Sequence, residues 1–108
     1  MKLTLLQTHP PLNSAHVPES IRLSYMALGY GNRVDYVLVD DGVYALLDWS
    51  SLSLKTESLK RLVQEPGFRL YASDRSARQR QITVPPACEP LSAEQIAEML
   101  LSSKVLVF

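Results

Sequence analysis

The sequence predicts an α/β fold of three layers, Rossmann-like or flavodoxin-like, with a mainly parallel sheet of about five strands and helices on both faces. Three observations carry this. Short apolar runs suited to strands alternate with segments of helical periodicity. The spacing between successive runs is too long for tight hairpins, so neighbouring strands should run parallel. The segment Arg33 to Val39 is apolar without clean alternation, as a central strand covered on both sides should be. At 108 residues, 46% of them apolar and 20% charged, the chain has room for one globular domain spanning residues 1–108 and one core.

The first strand is read at Lys2 to Gln7, rich in apolar residues. Thr8 to Val17 then forms a loop, because Pro10-Pro11 and Asn13-Ser14 oppose both helix and ladder. Pro18 fits the first turn of a helix and Glu19 the positive end of its dipole. Ile21, Tyr25 and Leu28 give the stripe that this helix should bury, and Gly29 or Gly31 ends it. The second strand, Arg33 to Val39, runs into Asp40-Asp41-Gly42, after which Val43 to Leu47 suits a short helix. Ser50 to Lys55 is a polar connection, and Leu59, Leu62 and Val63 mark a helix stopped by Pro66-Gly67. Phe68 to Tyr71 is the next strand.

Ser73 or Asp74 can cap a short basic helix reaching Arg80, and Ile82 to Val84 is an extended piece before Pro85-Pro86. The last helix has the clearest local signature. Ser92 and Gln95 form a capping box, Leu91 and Ile96 occupy the positions of a hydrophobic staple, and Ile96, Met99 and Leu100 are the stripe to be buried. Lys104 to Phe108 forms a final strand, which ties the chain into its sheet at both ends.

Charge excludes little by its sum and more by its distribution. Eleven basic and eleven acidic side chains cancel, which gives no argument for a membrane or nucleic-acid partner. Residues 35 to 48 hold Asp35, Asp40, Asp41 and Asp48 with no base, whereas residues 55 to 80 hold seven bases against three acids. Such polarity suits pairing with copies or relatives of the same chain, or is a solvated face. One cysteine, Cys88, allows no internal disulfide, and the sequence shows no signal-peptide pattern, so a cytoplasmic protein is expected. No apolar run approaches the roughly 20 residues of a membrane span.

Asp40 and Asp41 stand at the carboxyl end of a buried strand, where α/β sheets gather ligands. A pair of carboxylates can serve metal or acid/base chemistry. Adjacent residues on extended backbone point apart, however, so the favoured role for Asp40, Asp41 and Gly42 is a turn, a helix cap or a subunit contact. A phosphate-cradling loop is not expected after the first strand, because Thr8 to His16 holds no glycine and two prolines, which argues against flavin and dinucleotide cofactors. A phospho-acceptor receiver would carry its acidic pair after the first strand, where this chain has Gln7-Thr8. His9, His16 and Cys88 show no metal-ligand spacing, and neither metal nor cofactor is expected. Cys88 lies in a loop four residues before the Ser92 cap, either as a packed inert thiol or as a thiol activated by the helix end. Arg75, Arg78 and Arg80 lack interleaved aromatics, which suits an acidic protein surface better than direct RNA binding.

Three segments together resemble the DsrE/DsrF-like family of small sulfur-relay proteins, most closely its DsrF/TusC branch. They are Val39-Asp-Asp-Gly-Val-Tyr44, the stretch from Arg69 through Ala72-Ser-Asp74 to Ile82, and Ser103-Lys-Val-Leu-Val-Phe108. The resemblance implies the DsrEFH-like version of the predicted sheet, and assembly with itself or with DsrE-like and DsrH-like subunits. It also implies a place in persulfide transfer, toward tRNA thiolation or within sulfur oxidation. DsrE-type carriers hold their working cysteine just after the strand that corresponds to Phe68 to Tyr71. Here that position reads Ala72-Ser73-Asp74, and a serine hydroxyl cannot form a persulfide. The expected role is therefore a non-catalytic, oligomer-forming subunit. Two alternatives stand beside it: a sulfurtransferase carrying persulfide on Cys88, and a small-ligand-binding module acting at the strand ends.

Overall fold

A computed structural model describes residues 2–10, 16–47, 49 and 54–108. The elements are β1 (Lys2–Gln7), α1 (His16–Gly29), β2 (Arg33–Leu38), a 3-10 helix (Asp40–Leu46), α2 (Leu54–Val63), β3 (Phe68–Ser73), α3 (Asp74–Gln79), β4 (Glu89–Leu91), α4 (Ala93–Leu101) and β5 (Lys104–Val107). All strand pairings are parallel and the order across the sheet is β4-β3-β2-β1-β5. The chain steps from β1 to β4 in one direction, then returns past β1 to place β5. Right-handed crossovers therefore put α1, α2 and α3 on one face and α4 on the other.

Burial follows that division. The larger core joins Leu5, Val34, Tyr36, Leu38 and Leu70 of the sheet to Ala27, Leu59, Leu62 and Ala77 of the helices. A smaller cluster on the opposite face joins Val37, Tyr71 and Leu91 to Ile96 and Met99 of α4. The expected α4 stripe is only half buried, because α4 alone covers that face. Among the described residues no helix is long and apolar enough to cross a membrane.

Local signals explain most of the boundaries. Helix α1 ends in a paired-turn motif in which Gly31, at φ +84, sits just beyond the cap. Asn32 N-H donates to Ala27 O and Gly31 N-H to Leu28 O, satisfying the last carbonyls. The capping box of α4 is formed in both directions, Gln95 N-H to Ser92 Oγ at 3.2 Å and Ser92 N-H to Gln95 Oε1 at 2.8 Å.

Three expectations are corrected. Tyr25 is 40% exposed, and the face of α1 that meets the sheet is built from Ser20, Ser24 and Ala27. The cause is polar: Ser20 Oγ bonds the buried Tyr36 hydroxyl at 2.6 Å, and that hydroxyl donates to Gln7 Oε1 at 3.2 Å. Small residues let α1 approach closely enough to close this chain. Ile82 to Val84 forms no strand, because Ile82 N-H closes the end of α3 on Ala77 O. The fourth strand is instead Glu89–Leu91, beside β3. The third concerns helix starts: His16 and Val17, expected in a loop, already belong to α1, and Leu54 and Lys55, expected in a polar connection, to α2; residues 11–15 and 50–53 lie outside the described residues.

Candidate functional site at the carboxyl ends of β2 and β3

Where β2 ends, the backbone is held against β1. Val39 N-H donates to Gln7 O at 3.0 Å, and Gly42 N-H turns back to Val39 O at 2.8 Å. Gly42 is a glycine because of that approach: a Cβ there would overlap the Gln7 carbonyl oxygen and lie 2.9 Å from its carbon. Asp40 has φ +50, a region that Asp tolerates better than most residues, and its N-H donates to Ser76 Oγ at 3.0 Å.

The two carboxylates diverge. Asp41 Oδ1 accepts from Arg80 Nε at 3.2 Å and Nη2 at 3.1 Å, while Arg80 Nη1 reaches Ser76 O and the guanidinium lies 6.0 Å from the Tyr44 ring centre. This pair fastens the end of α3 to the 3-10 helix. Asp40 faces the other way, into a groove of about 390 Å³ lined by Val39, Asp40, Ser73, Arg75, Gln79 and Ile96 among others. No side chain caps the 3-10 helix, so the capping role expected of a carboxylate is not made there.

Strand β3 passes into α3 without a loop. Ser73 is the last residue of the strand and the cap of the helix, its Oγ accepting Ser76 N-H at 3.1 Å. The basic trio is dispersed: Arg80 is committed to Asp41, Arg78 pairs with Asp74 at 2.9 Å, and Arg75 alone lines the groove, with no ion pair among the described residues. A carboxylate, a guanidinium and hydroxyls thus meet at the strand ends. Among the described residues the groove lining contains neither cysteine nor histidine.

Cys88 stands elsewhere. It is 3% exposed and packed into the larger core. Burial, with Glu89 adding to it, pushes its thiol pKa up to about 12, opposite to the activation that a helix end would bring. His9 Nδ1 lies 3.2 Å from Thr8 Oγ1, and the side chain of His16 lies outside the described residues. Among the described residues no three His, Cys, Asp or Glu side chains gather as a metal site. Ser76, which receives the Asp40 N-H, was not singled out from sequence; its signal is the Ser73-x-x-Ser76 spacing of a cap and its third helical residue.

The fold matches solved structures over almost its whole length. The ychN protein from E. coli superposes with a TM-score of 0.84 at 21% identity, covering 100% of this chain and 99% of that one. MTH1491 from Methanobacterium thermoautotrophicum, a protein of unknown function, gives 0.79 at 12% identity, with 99% and 98% covered. No curated protein matches the sequence. The model of the DsrE/DsrF-like family matches residues 1–108, and the chain belongs to that family.

Proposed function

We propose that this chain is a non-catalytic, oligomer-forming subunit of a sulfur-relay assembly, in the manner of the DsrF/TusC branch, serving tRNA thiolation or sulfur oxidation with DsrE-like and DsrH-like partners. Membership of the DsrE/DsrF-like family supports the sulfur-relay setting. The observation that carries the non-catalytic role is the end of β3, where Ser73 stands with its hydroxyl engaged as a helix cap. The single cysteine is buried and protonated at neutral pH, which opposes the alternative of a persulfide on Cys88. Arg75 and the groove beside it provide a polar surface at the strand ends on which a partner's loop can rest.

Native mass spectrometry of the chain with DsrE-like and DsrH-like subunits from the same genome tests the reading. A mixed complex is expected, and after incubation with a persulfide donor the added sulfur should appear on the partner and not on this chain. A strict monomer both alone and in the mixture, or a gain of sulfur on Cys88, overturns it.

A further inference from the structure

Neighbouring strands β3 and β4 send the chain to opposite faces of the sheet, β3 into α3 and β4 into α4. Where adjacent parallel strands part in this way, their connections leave a crevice outside the carboxyl ends, the usual ligand position of an open α/β sheet. The groove of about 390 Å³ lies there. Arg75 and Gln79 of α3 line it on one side and Ile96 of α4 on the other, with Ser73 at the end of β3 and Val39 and Asp40 at the end of β2. Its volume stands at the small end of the about 300–1,000 Å³ typical of ligand pockets.

Two charges in this lining oppose each other without meeting. Asp40 and Arg75 face one groove, yet no ion pair joins them, and among the described residues neither the carboxylate nor the guanidinium is paired elsewhere. The nearby charges are committed, Asp41 to Arg80 at 3.1 Å and Asp74 to Arg78 at 2.9 Å. Asp40 is also preset: its N-H is held by Ser76 Oγ at 3.0 Å, and Ser76 N-H by Ser73 Oγ at 3.1 Å. A simple anion would gain Arg75 and be repelled by Asp40, and a simple amine would meet the reverse. A molecule with both charges satisfies both groups.

We propose that this groove binds a free α-amino acid with an uncharged, largely apolar side chain. Its carboxylate takes the Arg75 guanidinium fork, its ammonium donates to the Asp40 carboxylate, and its side chain rests on Val39 and Ile96. The Gln79 amide and the remaining Ser73 hydroxyl proton offer further polar contacts. Two opposite charges within one small groove fit an α-amino acid, because in a longer peptide the termini stand far apart.

The test titrates the isolated, isotope-labelled chain with the standard amino acids one at a time, at millimolar concentration, and follows its amide resonances. At least one apolar amino acid, such as leucine, valine or methionine, should give saturable shifts at the amides of Asp40, Arg75, Gln79 and Ile96. The amide of the best binder, which lacks the carboxylate, and its N-acetyl form, which lacks the ammonium, should each bind at least about tenfold more weakly. Arg75→Gln and Asp40→Asn should lose affinity by a similar factor. Both positions are exposed, and Asn tolerates the φ of +50 at position 40 as Asp does, so both chains should fold. Arg61→Gln, which removes a guanidinium paired with Glu57 on α2, should bind as the parent does. The proposal is overturned if no amino acid shifts these amides, if an end-blocked form or a dipeptide binds as well as the free amino acid, if inorganic phosphate shifts them as strongly, or if binding survives undiminished in a folded Arg75→Gln or Asp40→Asn chain. No partner subunit enters this experiment, so its failure leaves the sulfur-relay reading standing, and failure of the mixed complex leaves the groove to be judged here.

Discussion

Gly42→Ala should be among the most destabilising of the small substitutions open to this chain. The added methyl would overlap the Gln7 carbonyl oxygen and stand 2.9 Å from the Gln7 carbon. These are backbone atoms of β1, a strand paired on both sides, and cannot rotate away. The 3-10 helix must therefore retreat, stretching Val39 N-H to Gln7 O and Asp40 N-H to Ser76 Oγ, both at 3.0 Å. Two weakened hydrogen bonds at about 1 kcal/mol each and an overpacking cost of about 1 kcal/mol or more give a loss of about 3 kcal/mol. For a chain of this size that lowers Tm by more than about 10 °C. Urea titration followed by circular dichroism measures it, with Gly29→Ala as control. Gly29 has nothing within 4 Å of a built Cβ and no positive φ, so alanine there should be neutral or stabilising. If Gly42→Ala lies within about 0.5 kcal/mol of the parent chain, the close approach of the turn to β1 is wrong.

Two further perturbations test the packing beneath the site. Asp35 is buried on central strand β2, and its Oδ2 meets the Lys2 ammonium at 2.9 Å while accepting no well-oriented hydrogen bond. Lys2→Met should cost about 2 kcal/mol, less than a fully buried pair because the lysine end is partly in water, and adding Asp35→Leu should restore most of it. A neutral Lys2→Met in denaturant titration would mean that the carboxylate has another partner. The second perturbation is alkaline pH. Burial raises the Cys88 thiol from 9.0 to about 12, and raises the Tyr36 hydroxyl from 10.0 to about 12 against the opposing bond from Ser20. The folded chain then keeps protons that the unfolded chain releases. This contribution is full below about pH 9 and is lost as pH rises toward 12, with a limiting slope of about 1.4 kcal/mol per pH unit for each group. Cys88→Ala and Tyr36→Phe should each flatten the fall in urea midpoint above about pH 9, and equal slopes in all three chains would refute the assignment.

The elements read correctly from sequence are those whose signal is local. The Ser92-Gln95 box, the Gly31 stop of α1 and the Leu59, Leu62, Val63 stripe each depend on residues within a turn or two of one another. What was misread depends on distant partners. Ile82 to Val84 has the branched residues of a strand but ends up closing α3, whereas Glu89-Pro90-Leu91, too short to show a period and containing a proline, is the segment that reaches β3. The orientation of α1 is decided by the Tyr36 hydroxyl on β2. A helical stripe counted in apolar residues alone puts Tyr25 inside, because nothing near it in the chain announces a buried hydroxyl to be met by Ser20.

The candidate site divides in the same way. That the Asp40 and Asp41 side chains point apart was legible, but for a reason that does not apply: they lie in a 3-10 turn and not on extended backbone. They part because Gly42 lies against Gln7, which holds Asp40 at positive φ facing the groove and leaves Asp41 beside Arg80. The loop position of Cys88 was legible, and a packed thiol is what its residue type favours, whereas the core that receives it, shared with Ile82, shows only in the fold. The Ser73 position is the reverse case, its chemistry readable at once and its geometry only from the fold. With β3 running directly into α3, the residue at that junction must supply a cap, and a serine hydroxyl accepts the Ser76 N-H far better than a thiol. A chain that keeps serine there gains a stable α3 and, through Ser76 and Arg80, a fixed 3-10 helix. A cysteine at this junction would forgo that cap, so the stability of this surface and a thiol at the end of β3 compete for one side chain.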